Sequence, residues 1–360
     1  MSRYKICVYA ICKNEEKFVD HWMDAVSEAD CVIVIDTGSQ DGTIARLQAR
    51  GAVVYSESVA PWRFDTARNL ALEHVPEDVD ICVSIDLDEI LEPGWRQRLE
   101  EAWQPEHTRA QYLYSWSYHS DGTPDKQFVR EKIHARHSHR WIRPVHEILE
   151  YLGEGEEKQV WVDGLVLNHH PDLEKSRAQY LPLLELASME NPQDDRTMFW
   201  LGREYMYYEM YDKCIETLQK HLKLPTAVWD EERCASMRFI AECYRIGGNK
   251  REARRWLYRA IAECPYVREP YCQMAKLGYE ENDWLLVYLM IDRMLSILVR
   301  SNSYLTEDEA WGYNPYDFGA ICCYWLGLYQ KAHEYCRKAC EMEPGDQRLC
   351  SNLALIETKL

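Results

Sequence analysis

The sequence predicts an α/β domain over residues 1–172 followed by an all-α repeat domain over residues 173–360. Up to about residue 170, short β-branched runs alternate with amphipathic stretches, the pattern of a parallel sheet covered by helices. From Leu173 onward the two-residue alternation stops, and apolar residues recur at helical spacing. Within that second half the small residues Cys214, Ala253, Val287 and Ala332 recur at intervals near the roughly 34 residues of helix-pair repeats. A chain of 360 residues supplies two cores of ordinary size.

Taken in order, Lys5 to Ile11 is a strand, Glu16 to Ser27 a helix, and Cys31 to Asp36 a strand that ends in the turn Thr37-Gly-Ser-Gln-Asp-Gly42. A helix then runs to Arg50. Ala52 to Glu57 and Asp80 to Ile85 extend the sheet, with a helix from Phe64 to Glu73 between them. Pro93 opens a helix to Trp103, since proline suits a first helical turn. Gln111 to Tyr118 and Gln159 to Asn168 complete the strands.

The second half reads as four helix pairs, the third degenerate. A loop at Asn302 to Asn314 lengthens the third interval, and Gln347 to Lys359 forms a terminal capping helix. Met237, Ile240, Ala241 and Tyr244 before Ala253, with Leu257, Ala260 and Pro265 after it, resemble a tetratricopeptide repeat. That resemblance implies a concave interaction surface. His333, Cys336 and Cys340 share a helical face, but at positions where repeat packing places core thiols.

Composition narrows the function classes. With 46% hydrophobic and 28% charged residues the chain is globular. No apolar run approaches the roughly 20 residues that span a bilayer, and the first ten residues read as a strand rather than a signal peptide, so a cytoplasmic protein is expected. Fourteen cysteines, none in C-x-x-C spacing, fit reduced buried thiols better than zinc. A net charge of -18 disfavours nucleic acid as a partner.

The strongest chemical signal is Ser84-Ile-Asp-Leu-Asp-Glu89, an apolar strand running into carboxylates. In an extended segment Asp86 and Asp88 share a face, and their repulsion, roughly 4 kcal/mol at 4 Å and an effective dielectric of 20, is relieved by a cation. Oxygen ligands favour magnesium or manganese. Asp36, at an earlier strand end beside a glycine-rich turn, is placed to accept hydrogen bonds from a base or ribose, while Asp41 caps the helix that follows.

Four elements in order, Ala10-Ile-Cys-Lys-Asn-Glu-Glu16, Asp36-Thr-Gly-Ser-Gln-Asp-Gly-Thr43, Phe64-Asp-Thr-Ala-Arg-Asn69 and the D-x-D element Asp86-Leu-Asp88, resemble the family 2 glycosyltransferases of GT-A fold. The resemblance covers the first half of the chain. It implies a nucleotide-diphosphate-sugar donor, most often a uridine one, held by Ala10, Lys13, Glu15, Asp36 and Arg68. It also implies a Mn2+ or Mg2+ ion on Asp88, with Asp86 supporting the metal or the ribose. Arg143-Pro-Val-His-Glu147 and Leu165-Val-Leu-Asn-His-His170 resemble elements that follow the D-x-D in a branch of that family, which makes His169 the third metal ligand, with His170 its competitor.

An inverting transfer needs a base. Glu147 is the first candidate and Glu89 the second, with His146 binding phosphate or orienting the acceptor. Lys126, Arg130, Lys132, Arg136, Arg140 and Arg143, with His134, His137 and His139, form the one sustained basic stretch, suited to a diphosphate, to an anionic acceptor, or to a solvated strand face. In layout the chain is similar to bacterial peptide glycosyltransferases and to bacteriophage-encoded ones, the latter implying a host cytoplasm. A protein or peptide acceptor presented by the helices is therefore expected. A modified DNA base as acceptor, or a repeat scaffold without catalysis, are the alternatives.

Overall fold

The computed structural model describes residues 3–119, 121–172 and 178–360. The chain divides into two compact units, Met1–Ala187 and Ser188–Leu360. The division falls beyond the change of pattern at residue 172.

The first unit is built on strands β1 Ile6–Cys12, β2 Cys31–Asp36, β3 Val53–Ser56, β4 Ile81–Ser84, β5 Glu89–Leu91, β6 Arg109–Tyr118, β7 Pro124–Ala135, β8 His139–Ile142, β9 Ile148–Tyr151 and β10 Gln159–His169. Helices α1 Val19–Ala25, α2 Thr43–Ala49, α3 Phe64–Glu73 and α4 Trp95–Ala102 lie among them. Eight strands form one sheet in the order β3-β2-β1-β4-β7-β6-β10-β5, while β8 and β9 make a separate hairpin. The sheet is mixed rather than parallel: β3, β2, β1 and β4 run together, β7 is antiparallel to both β4 and β6, and β5 is antiparallel to β10.

β1 is buried along its whole length because helices cover both faces. Ile6, Val8, Ala10 and Cys12 point into one core with Trp22, Leu47 and Trp95, whereas Cys7, Tyr9 and Ile11 point into the other with Ala67, Ala71 and Trp141. The six strands expected from sequence are all present, the D-x-D strand being shorter. β5, β7 and the β8–β9 hairpin complete the set.

The second unit is all helix. After α5 Tyr180–Glu190, inside which the two units divide, come the pairs α6 Asp195–Tyr207 with α7 Tyr211–His221, α8 Asp230–Ile246 with α9 Lys250–Glu263, α10 Glu269–Glu280 with α11 Trp284–Leu295, and α12 Asn314–Trp325 with α13 Tyr329–Met342. α14 Gln347–Glu357 closes the array. The four pairs and the cap match the repeat count read from sequence. Gly202 lets α6 approach α7 closely: a Cβ there would lie 2.3 Å from Leu218 Cδ2. Successive first helices, α6, α8, α10 and α12, pack on one another, the row that forms the inner face in helix-pair repeats.

That inner face carries the loop between α11 and α12. Tyr304 stacks on Trp200 at 5.4 Å and donates to Glu232 at 3.0 Å. The Glu307 carboxylate pairs with Arg238 at 3.1 Å, its amide donates to Glu269, and Arg268 donates to the Ile297 carbonyl. Among the described residues no helix is long and apolar enough to cross a membrane.

Candidate active site

β4 ends at Ser84, and the next residues cross the C-terminal edge of the sheet to reach β5 at its far side. Asp86 to Glu89 form a turn closed by the Glu89 amide donating to the Asp86 carbonyl at 3.0 Å, with Leu87 fully buried as its anchor. The two aspartates therefore sit on a turn and not on an extended strand, and their surroundings separate them.

Asp86 faces inward. Arg68 Nη2 reaches both of its oxygens, at 2.9 and 3.0 Å, and Lys132 lies 3.3 Å away. Burial alone raises a carboxyl pKa, but here the charges of Arg68 and Lys132 outweigh it and hold Asp86 far below the usual carboxylate range. Protein cations thus already relieve at Asp86 the repulsion expected between the aspartates.

Asp88 faces the other way. Pairing of β5 with β10 sets Glu89 opposite His169, and the His170 amide donates to the Asp88 carbonyl at 2.7 Å. This brings His169 Nε2 to 3.7 Å from Asp88 Oδ2. The buried His169 Nδ1 has no hydrogen-bond partner among the described residues. A carboxylate facing an imidazole Nε2 would suit a divalent cation such as manganese or magnesium. Among the described residues no group of three His, Cys, Asp or Glu side chains is placed to hold a metal. His170, the competitor, stacks on Tyr118 with 3° between ring planes, near His21.

Arg68 is the hub of the site and is not free for a nucleotide. It is 3% exposed, donates through Nε to Glu147 Oε1 at 2.6 Å, and spends its remaining contacts on Asp86 and the ring of Trp141. Asn69 of the same motif exchanges two hydrogen bonds of 2.8 Å with the Trp141 backbone, while Asp65 pairs locally with Arg63. The motif clamps the segment that carries Glu147 onto α3.

Glu147, expected as the base, is ion-paired and partly buried. Burial raises its pKa, yet the charges of Arg68 and Lys132 leave it below the ordinary value. Glu89 accepts from the Asp86 amide at 2.9 Å and is 3% exposed. His146 stacks on Tyr180 at 5.7 Å.

On the other side of the sheet edge, Asp36 is buried, and its oxygens accept from the Gly38 and Ser39 amides at 3.0 Å. It fixes the glycine-rich turn and offers little to a ligand. Asp41 accepts from the Thr43 amide and from Glu16, as expected of a residue at a helix start. Ala10 is fully buried in the core, so a ligand above the strand ends meets exposed Lys13 first. The Glu15 amide donates to Thr43 Oγ1 at 2.8 Å.

The basic stretch is not a basic face. Lys132 serves Asp86, Arg136 donates to the Val75 carbonyl, Arg140 pairs with Glu150, and Arg130 lies over Tyr114. His134 is buried between Tyr9 and the Ala135 carbonyl, and desolvation holds its pKa at about 3, so it is neutral. His139 contacts Glu157 at 2.9 Å. Sequence reasoning placed Lys132 in this stretch without its partner, because a residue 46 positions from Asp86 gives no local signal.

Residues 7–155 match the model of glycosyl transferase family 2. The lipopolysaccharide core biosynthesis glycosyltransferase LpsC of Rhizobium meliloti (strain 1021) is 24% identical over 164 residues, which cover 41% of this chain and 57% of that relative. The chain thus spans little more than half the length of this curated relative. Among solved structures, MamA is 19% identical over 46% of this chain and 86% of its own, with a TM-score of 0.38. Glucosyl-3-phosphoglycerate synthase from Mycobacterium tuberculosis, solved with Mn2+ and uridine diphosphate, is 28% identical over 31% of this chain and 44% of its own, with a TM-score of 0.27. Residues 7–155 form a glycosyl transferase family 2 domain, which the chain joins to a tetratricopeptide-like array of helix pairs.

Proposed function

We propose that this chain transfers a glycosyl group from a nucleoside-diphosphate sugar, uridine being the base tested first, to a protein or peptide acceptor. The observation that carries the donor half is the facing pair Asp88 and His169 at the C-terminal edge of the sheet, where ligands of open α/β sheets sit. A divalent cation bound by this pair supplies charge neutralisation at the diphosphate leaving group. Asp86, Arg68, Lys132 and Glu147 hold the turn that presents Asp88, so its carboxylate is oriented before any donor arrives.

Glu147 and Glu89 enter this scheme as positioning residues. A base works best with a pKa near the operating pH, and an Arg68-paired carboxylate held below its ordinary value is tuned away from that. Lys13, just past the end of β1, is an exposed cation that suits a nucleotide phosphate. The repeat architecture of the second unit supports a protein or peptide acceptor. A DNA acceptor has less support, because Lys132 and Arg136 of the basic stretch are engaged by internal partners.

Calorimetric titration of nucleoside diphosphates with and without Mn2+, against wild type and Asp88→Ala, tests the donor half. Metal-dependent binding of one nucleotide, lost in the variant, is the expected result. Binding of none by the wild type overturns the proposal.

A further inference from the structure

Strand β6 carries an exposed tryptophan at the same edge of the sheet. Through Tyr112 and Tyr114 the strand buries alternate side chains, but its register against β7 shifts between Ser115 and Ser117. Ser115 pairs with Gln127 and Ser117 with Lys126, so Trp116 is the extra residue of a bulge. A bulge re-aims the side chain it carries. Here it leaves Trp116 43% exposed, with its ring stacked on His169 at 4.5 Å and 23° between planes.

The placement follows from the sheet. Ser115 and Asn168 form the last parallel rung between β6 and β10, so Trp116 and His169 are the next residues beyond it on adjacent strands. His169 covers one face of the indole, and the exposure belongs to the rest of the ring. Two residues on, Tyr118 stacks on His170 and donates to Asn168 Oδ1 at 2.7 Å, which puts polar groups beside the indole. An exposed indole beside a polar rim matches a pyranose, whose ring has a C–H face for stacking and hydroxyls at its edge.

We infer that Trp116 is the platform for the donor's sugar ring, a role that rests on the transfer proposed above. A diphosphate held at Asp88 and His169 carries its sugar one ester bond away, within reach of the ring that stacks on His169. Trp116 thereby contributes to which sugar is accepted, while the nucleotide is held elsewhere.

The test compares wild type, Trp116→Ala and Trp116→Phe by calorimetry in Mn2+. The titrants are the nucleoside diphosphate that binds wild type, and its glucose, galactose and N-acetylglucosamine conjugates. The inference expects Trp116→Ala to weaken the preferred conjugate about tenfold relative to the free diphosphate, with Trp116→Phe restoring most of the loss. Mn2+ affinity in the presence of the free diphosphate, read by the electron paramagnetic resonance of the ion, stays within about twofold. Equal weakening of free diphosphate and conjugate, or a loss of Mn2+ affinity, shows that Trp116 acts only by orienting His169 and overturns the inference while leaving the transfer reading intact. Unchanged affinity for every conjugate overturns it as well. Binding of no nucleotide by wild type removes both.

Discussion

Replacing Arg68 by leucine removes a buried cation from between two partly buried carboxylates, and the structure sets the size of the effect. The guanidinium is 3% exposed and lies 2.6 Å from Glu147 and 2.9 Å from Asp86. Losing one partner of a buried pair costs about 3–5 kcal/mol, because the remaining charge stays desolvated. Lys132 still reaches Asp86, so the lower end of that range is expected. In the wild type both carboxyls have folded pKa values below their unfolded ones, so their contribution is present above the unfolded values near pH 4 and is lost only as the pH falls further. Without Arg68 the burial of Glu147 is opposed chiefly by Lys132 alone, and its folded pKa rises. The deficit is then greatest at neutral pH and shrinks as the pH falls through the raised value. Urea unfolding read by pulsed hydrogen exchange in peptides of β1, β4 and α3 isolates the first unit. A deficit below about 1 kcal/mol, or one that is constant between pH 7 and pH 4.5, refutes the hub assignment.

Asp88→Ala should abolish Mn2+-dependent nucleotide binding while shifting stability by no more than about 1 kcal/mol, because its side chain holds no buried cation; calorimetry and urea unfolding check the two halves. Gly202→Ala should destabilise the helical unit by about 1–3 kcal/mol, since the added Cβ meets Leu218; thermal circular dichroism reads the loss. His134 is neutral when folded, with a pKa of about 3 against roughly 6.5 unfolded. Its folded pKa is the lower one, so the stability it supports is present above pH 6.5 and falls by about 1.4 kcal/mol per pH unit below it. His134→Gln should flatten the unfolding free energy between pH 6.5 and pH 5 by that slope, and an unchanged slope would exclude His134 as its source.

The elements legible in the sequence were those whose cause is local. The strand Cys31–Asp36 and the helix Phe64–Glu73 have the predicted bounds because periodicity and flanking turns define them within a few residues. The helix pairs were legible because their close packing needs small residues at fixed offsets, such as Gly202 and Ala253. β7 was hidden: its charged residues break the apolar alternation, and Lys132 and Arg130 find their partners only once the strand lies between β4 and β6. The D-x-D element was found by its residue types, but its division into an Asp86 turned to Arg68 and an Asp88 turned to His169 depends on partners 18 and 81 residues away in the chain. Trp116 could not be singled out, since a bulge is a mismatch of register between two strands and has no signature in one.

The helical unit bears on the acceptor through its inner face. Repeat arrays use that concavity for binding, but here it is lined by groups already engaged by the chain's own loop. An acceptor segment seated on α6, α8 and α10 has to displace Tyr304 from Trp200 and Glu307 from Arg238. Arg238 is 3% exposed, so stripping it of Glu307 leaves a buried cation unless the incoming segment brings a carboxylate of its own. Exposed apolar residues occur instead where the helices of a pair meet, at Tyr207 and Met210, at Ile246, and at Trp325 and Leu328. These can take up a partner without breaking an internal ion pair. A protein acceptor that uses the array is therefore cheaper to dock along these turns than on the concave wall, and substitutions at Trp325 and Tyr207 should weaken it more than substitutions at Arg238, whose loss is expected chiefly as lower stability.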